Sequence, residues 1–142
     1  KQQLYAIIDE KAPLITDLSD KIWEYAELSM LEIKSTAAYV QVLKEEGFEV
    51  AENLCGIATA FSGSFGSGKP VIGILGEYDA LSGLSQVAGA TEKIPLVENG
   101  CGQGCGHHLL GAGSLGAAIA VKNAIAAGVL VTVCRGQTDR HL

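Results

Sequence analysis

The chain of 142 residues lacks any cluster of basic side chains: ten Lys and Arg are scattered among sixteen Asp and Glu, for a net charge of −6. Nucleic-acid binding, whose affinity comes from grouped Lys and Arg facing phosphates, is therefore not expected. Nor is a membrane expected, because the longest uncharged apolar run, 109–121, falls short of the ~20 residues a span needs. The N-terminus is polar and amphipathic, without the basic, apolar and small-residue order of a secretory leader. Cys55, Cys101, Cys105 and Cys134 form neither a regular disulfide framework nor the paired knuckles of a structural zinc site. A reducing, cytoplasmic compartment is the expectation. Internal repeats and low-complexity tails are absent too. With 48% hydrophobic residues and 18% charged ones, what remains is one globular domain with its own core.

Leu4, Ile7, Ile8, Leu14, Ile15, Leu18, Ile22 and Tyr25 recur at helical spacing with charged residues between them. That pattern predicts one long amphipathic helix, or two meeting near Pro13. Ser29-Met30-Leu31-Glu32 has the form of a capping box. A second helix is expected to follow through Thr36, Val40 and Leu43 and to stop at Gly47. Strands are expected at 48–50, 56–62 and 70–76, with a turn over 62–69 and a long surface loop over 82–100. Val71-Ile72-Gly73-Ile74-Leu75 is almost wholly apolar and reads as a strand buried on both faces. An apolar helix kept thin by Gly111, Gly113, Gly116, Ala117 and Ala120 is expected over 107–127, then another strand over 129–133. Helices alternating with strands give an α/β class.

Two glycine motifs resemble nucleotide sites and fail on context. Gly63-Ser64-Phe65-Gly66-Ser67-Gly68-Lys69 follows a phosphate loop until Pro70 takes the Ser or Thr position, and a strand follows where a helix is needed. Residues 111–116 match the dinucleotide fingerprint inside a helix, with no acid about 20 residues further on to hold a ribose. A turn and helix-packing glycines are the better accounts.

The chemistry gathers in Asn99-Gly100-Cys101-Gly102-Gln103-Gly104-Cys105-Gly106-His107-His108. Its glycines release the backbone, so it can wrap closely around a bound group. Cys105 and His107 sit one glycine apart just before the apolar helix, where the helix amides favour a thiolate. They form a candidate corner of a zinc or manganese site, provided the backbone between them is not yet helical. The competing reading is a small-residue turn with an incidental thiol and two half-exposed histidines. Cys101 and Cys105 also have the spacing of a loose redox pair. Asp79, in Gly76-Glu77-Tyr78-Asp79-Ala80-Leu81, directly follows the apolar strand, where α/β sheets place their sites. It could orient a ligating imidazole, touch the metal, or only cap a turn.

Taken together, residues 76–86 (Gly-Glu-Tyr-Asp-Ala-Leu-Ser-Gly-Leu-Ser-Gln) and 104–111 (Gly-Cys-Gly-His-His-Leu-Leu-Gly) resemble the dinuclear metallopeptidase and amidohydrolase family, its aminobenzoyl-glutamate hydrolase branch above all. Ile22-Trp23-Glu24-Tyr25-Ala26-Glu27-Leu28-Ser29 and Glu32 resemble that branch's N-terminal helix pair. The likeness covers about residues 15–125. It implies a zinc-peptidase-like catalytic domain, three-layered with a mixed sheet and flanking helices, holding two divalent metals (zinc or manganese) and hydrolysing the amide bond of an N-acyl amino acid. By the same resemblance Cys105 and His107 are metal ligands and Asp79 supports the site. Gln103 stands where the family usually has His, and His108 where it has Asn or Asp; both should tune the metal's surroundings. The family continues into a segment with adjacent glutamates, one of them the general base, whereas here no Glu follows Glu98. Residues 1–142 are therefore expected to be the N-terminal portion of the catalytic domain, incomplete at its C-terminal side, without the dimerisation domain, and inactive alone. The alternative is a non-catalytic α/β module that self-associates or binds a partner.

Overall fold

The computed structural model describes residues 2–128 and 133–138. In chain order these form α1 (Gln2–Tyr25), α2 (Ile33–Glu45), β1 (Glu49–Glu52), a 3-10 turn (Leu54–Gly56), β2 (Phe61–Phe65), β3 (Val71–Leu75), α3 (His107–Ala126) and β4 (Val133–Thr138). The sheet order is β1-β2-β4-β3. β1 and β4 both pair antiparallel to β2, while β3 runs parallel to β4 across the α3 crossover. The sheet is mixed and the class α/β.

The amphipathic N-terminal pattern yields a single helix that runs through Pro13 and buries Leu18, Ser19 and Ile22. α2 ends as expected, with Gly47 at φ +79 and its amide on the Lys44 carbonyl. Its start differs from the capping-box expectation. Glu32 occupies the cap position without a capping side-chain bond. The Glu27 carboxylate does that work from outside the helix, accepting the amides of Lys34 and Ser35 at 3.0 and 2.9 Å and the Ser35 hydroxyl at 2.8 Å. Glu27 also accepts Ala80 N–H on its own main-chain carbonyl at 2.7 Å, joining α2's start to the segment after β3.

Phe61, Gly63, Phe65 and Ile74 fall on the sheet face that α2 and α3 cover. A Cβ on Gly63 would lie 2.9 Å from Leu43. Tyr39, Phe61 and Tyr78 form the aromatic centre, with ring centroids 5.2–6.0 Å apart. Tyr78 donates its hydroxyl to the Thr59 carbonyl and meets the Thr36 hydroxyl at 3.0 Å. β3 corrects the expectation of double burial: Val71, Ile72 and Leu75 are 55%, 47% and 42% exposed. Among the described residues it is an edge strand paired to β4 alone, so composition indicated burial that no neighbouring layer provides. β2 takes in Gly63, Ser64 and Phe65, which places half of the phosphate-loop look-alike in a strand. Of the strand expected over 129–133, only Val133 lies within the described residues, and the strand observed is Val133–Thr138.

α3 is apolar and long enough to pass for a membrane span by length and composition. Here it is the central packing helix, burying Gly111, Leu115, Gly116 and Ile119 against α1 and the sheet. Its slimness serves close approach at two glycines. A Cβ on Gly116 would come within 2.7 Å of Ile15, and one on Gly111 within 2.7 Å of the Glu77 carbonyl. Gly113 faces open space.

Candidate metal centre

The chain leaves β3 at Leu75 and carries Glu77 and Asp79 toward the first residue of α3, His107. The exit is anchored by the Ser114 hydroxyl of α3, which donates to the Leu75 carbonyl at 2.7 Å. Beyond Asp79, Ala80 is held by Glu27. Leu81 and Gly102 then exchange paired main-chain hydrogen bonds of 2.9 Å each way. Those bonds bring the glycine-rich stretch alongside the strand exit. Gly102 is fixed there by contact: a Cβ would overlap the Leu84 main chain.

His107 Nδ1 lies 2.7 Å from Asp79 Oδ1, and its Nε2 lies 3.1 Å from Glu77 Oε2. The three side chains keep only 15–21% of their exposure, and one donor atom from each lies within 4.8 Å of the others. Two carboxylates and an imidazole form a hard-to-borderline donor set that suits a divalent cation. A neutral imidazole has one N–H to give. Carboxylates on both ring nitrogens therefore leave one nitrogen lone pair facing an acceptor, a pairing that a cation between them would relieve. The first turn of α3 adds amide dipoles that favour the negative pair.

The structure thus brings Asp79 and His107 into direct contact. Cys105 is exposed on the turn before α3, its thiol free, and it is not one of the three grouped donors. Gly106, at φ +81, makes the bend between Cys105 and His107. Cys101 is half-buried and also free. Glu77 is a further member that the sequence does not mark as a candidate. Its signal is the Glu-x-Asp spacing at a strand's carboxyl end, which sends two acids into one site.

His108 points elsewhere. Its Nδ1 is buried without a hydrogen-bond partner, and burial holds its imidazole below the usual histidine range, against an opposing pull from Asp20. A folded-state pKa below the unfolded value of 6.5 means the unfolded chain binds more protons as the solution acidifies. The stability tied to a neutral His108 is present above about pH 6.5 and is lost as pH falls through the folded value. Urea unfolding at pH 7.5 and pH 5.5 (about one unit either side of the histidine range) should show that loss, and His108→Gln should flatten it.

No protein-family profile matches the chain. Among curated proteins it is 44% identical over 125 residues to one subunit of the p-aminobenzoyl-glutamate hydrolase of Escherichia coli K12, covering 85% of this chain and 26% of that protein. The chain resembles the dinuclear metallopeptidase and amidohydrolase family. It spans about a quarter of the length of that curated relative. Solved structures share the fold. An aminohydrolase of methicillin-resistant Staphylococcus aureus superposes with a TM-score of 0.77 at 20% identity, over 96% of this chain and 34% of that one. A Bacillus subtilis protein, described as a dinuclear metal-binding peptidase of the M20 family, gives 0.72 at 23% identity, over 94% and 35%. The aminobenzoyl-glutamate utilization protein of Klebsiella pneumoniae gives 0.61 at 14%, over 96% and 38%.

Proposed function

We propose that the chain carries part of the metal centre of a hydrolase that cleaves the amide bond of N-acyl amino acids of the aminobenzoyl-glutamate type. The observation that carries this reading is the His107 ring held between Asp79 at 2.7 Å and Glu77 at 3.1 Å. The 44% identity to part of a hydrolase and the fold shared with a dinuclear metal-binding peptidase support it. His107, Asp79 and Glu77 would hold a divalent ion, zinc or manganese. Cys105, two residues before the ring, is the further donor this reading assigns. Such an ion supplies Lewis acidity toward a carbonyl and makes water a usable nucleophile near neutral pH. Asp79 would fix the ring's tautomer and orientation through Nδ1, and Glu77 would hold negative charge at the other side of the ring. The general base is assigned to a glutamate beyond these 142 residues, so the chain alone should bind metal without turning over substrate. General-base assistance is worth ~10²–10⁴-fold.

The test is a titration of the purified chain with Mn²⁺ followed by EPR, beside an assay for amine release from p-aminobenzoyl-glutamate. Saturable binding with Cys105→Ala weaker than wild type is the expected result, without hydrolysis above the metal blank. Absence of saturable binding would remove the metal reading. Robust hydrolysis would refute the placement of the base.

A second reading rests on β3. Its outer edge is unpaired among the described residues, and Val71 and Leu75 are exposed on it. Open edges of apolar strands recruit other chains. The curated relative is by name one subunit of its enzyme, and this chain would accordingly pair with a second copy or a partner chain. Sedimentation should show concentration-dependent association, weakened by Val71→Lys. A monomer at every concentration would count against it.

A further inference from the structure

The two halves of the candidate site arrive on different segments, and one buried side chain touches both. Gln103 is 7% exposed. Its Nε2 donates to the Tyr78 carbonyl at 3.2 Å, and its Oε1 accepts the His108 amide at 3.2 Å. Tyr78 is the residue between Glu77 and Asp79, and His108 is the residue after His107. The side chain therefore spans from the main chain that carries both carboxylates to the main chain that carries the imidazole.

The two partners set what the bridging side chain must do. A carbonyl accepts and an amide N–H donates, so the bridging group must donate at one end and accept at the other. A primary amide does both in a single orientation. A carboxylate would fit only the His108 end, and an apolar side chain neither. The acceptor half also has a helical duty. α3 begins at His107 with Gly106 as its cap and no side chain capping it from there. The His108 amide is one of the first-turn donors that the helix itself cannot satisfy. Gln103 satisfies it from a turn that is closed by the Gly106 amide on Gln103's own carbonyl at 2.9 Å.

We infer that Gln103 is a positioning residue: its carboxamide clamps Tyr78 to His108 and so sets the register of Glu77 and Asp79 against His107. The inference rests on the metal-centre reading for its effect on affinity and stands apart from it in its effect on the ring. A shift of the α3 start relative to the strand exit moves a ring nitrogen by the same amount relative to both acids. Loss of a group bonded directly to a metal ligand typically costs 10–100-fold in metal affinity, and the clamp acts on the ligands through the main chain beside them.

Gln103→Met removes both hydrogen bonds at similar volume. Ile119→Val, buried lower on α3, serves as a control that lowers stability without touching the clamp. Two quantities are read on folded protein: the Mn²⁺ affinity by EPR, and the His107 ring ¹⁵N resonances of the metal-free chain. Gln103→Met should lower the affinity by about tenfold or more and displace the His107 resonances, while Ile119→Val changes neither. If the Met variant does not fold, Gln103→Glu, which keeps the acceptor for the His108 amide, is read through the ring resonances and should displace them. Unchanged ring resonances and unchanged affinity in a folded Gln103 variant would overturn the inference. A wild-type chain that binds no Mn²⁺ would defeat the metal reading, and the ring resonances alone would then decide whether the clamp exists.

Discussion

Mn²⁺ affinity of His107→Ala is expected to fall by more than about a hundredfold, beyond the usual cost of losing an outer-sphere partner. His107 is the only member of the grouped donors that touches both others, Asp79 through Nδ1 and Glu77 through Nε2. Its loss leaves two part-buried carboxylates facing each other without the positive or hydrogen-bonding group between them. The nitrogen donor is lost, and with it the contact that fixes where the two carboxylates stand. Asp79→Asn should cost less, since an amide can still meet the ring nitrogen while carrying no charge. An EPR titration of free Mn²⁺ separates the three chains directly. Equal affinity in wild type and His107→Ala would show that the ion, if any, sits elsewhere.

The second large effect is expected at Gly111, with Gly113 as its counterpart on the same helix. A Cβ at Gly111 would stand 2.7 Å from the Glu77 carbonyl oxygen and closer still to the Tyr39 hydroxyl. The Tyr39 hydroxyl is itself buried without a partner, and burial pushes its pKa up. The main-chain carbonyl cannot swing aside as a side-chain tip can. Either α3 or the strand exit must move, at a cost of about 1–3 kcal/mol typical of overpacking. The shift falls on Glu77, so Gly111→Ala should lower both the urea midpoint and the Mn²⁺ affinity. Gly113→Ala should do the opposite to stability. Nothing lies within 4 Å of its Cβ, and replacing a helix-interior glycine by alanine gains about 0.5–1 kcal/mol. A destabilised Gly113→Ala, or an unaffected Gly111→Ala, would contradict the packing described for α3.

The three helices were legible because each has a periodic apolar face and a recognisable end. The apolar spacing through Ile22 marks α1, Gly47 ends α2, and the small residues of 111–120 identify a helix made for close approach. What escaped the sequence depends on partners distant along the chain. The cap of α2 comes from Glu27, eight positions before Ser35, and no local motif announces it. The exposure of Val71 and Leu75 follows from which layers lie over the sheet, and strand composition carries no such information. Within the site, the pairing of Asp79 with His107 is one of several roles that the sequence leaves open to that acid. Glu77 escaped because an acid after a strand more often caps a turn than joins a cluster. In the sequence Gln103 stands out only as a departure from a family pattern. Its part as a bridge needs two main-chain positions, Tyr78 and His108, that only the folded chain brings together.

Glu27 reaches in two directions at once, with its carboxylate on the first turn of α2 and its carbonyl on Ala80, one residue past Asp79. Linkage between such contacts is reciprocal. An ion that steadied Asp79 would slow the fraying of α2's leading turn, and any loosening of that turn would be felt as weaker grip on the ion. The amide protons of Lys34 and Ser35 would thereby act as distant witnesses of occupancy at a centre whose donors none of them touches.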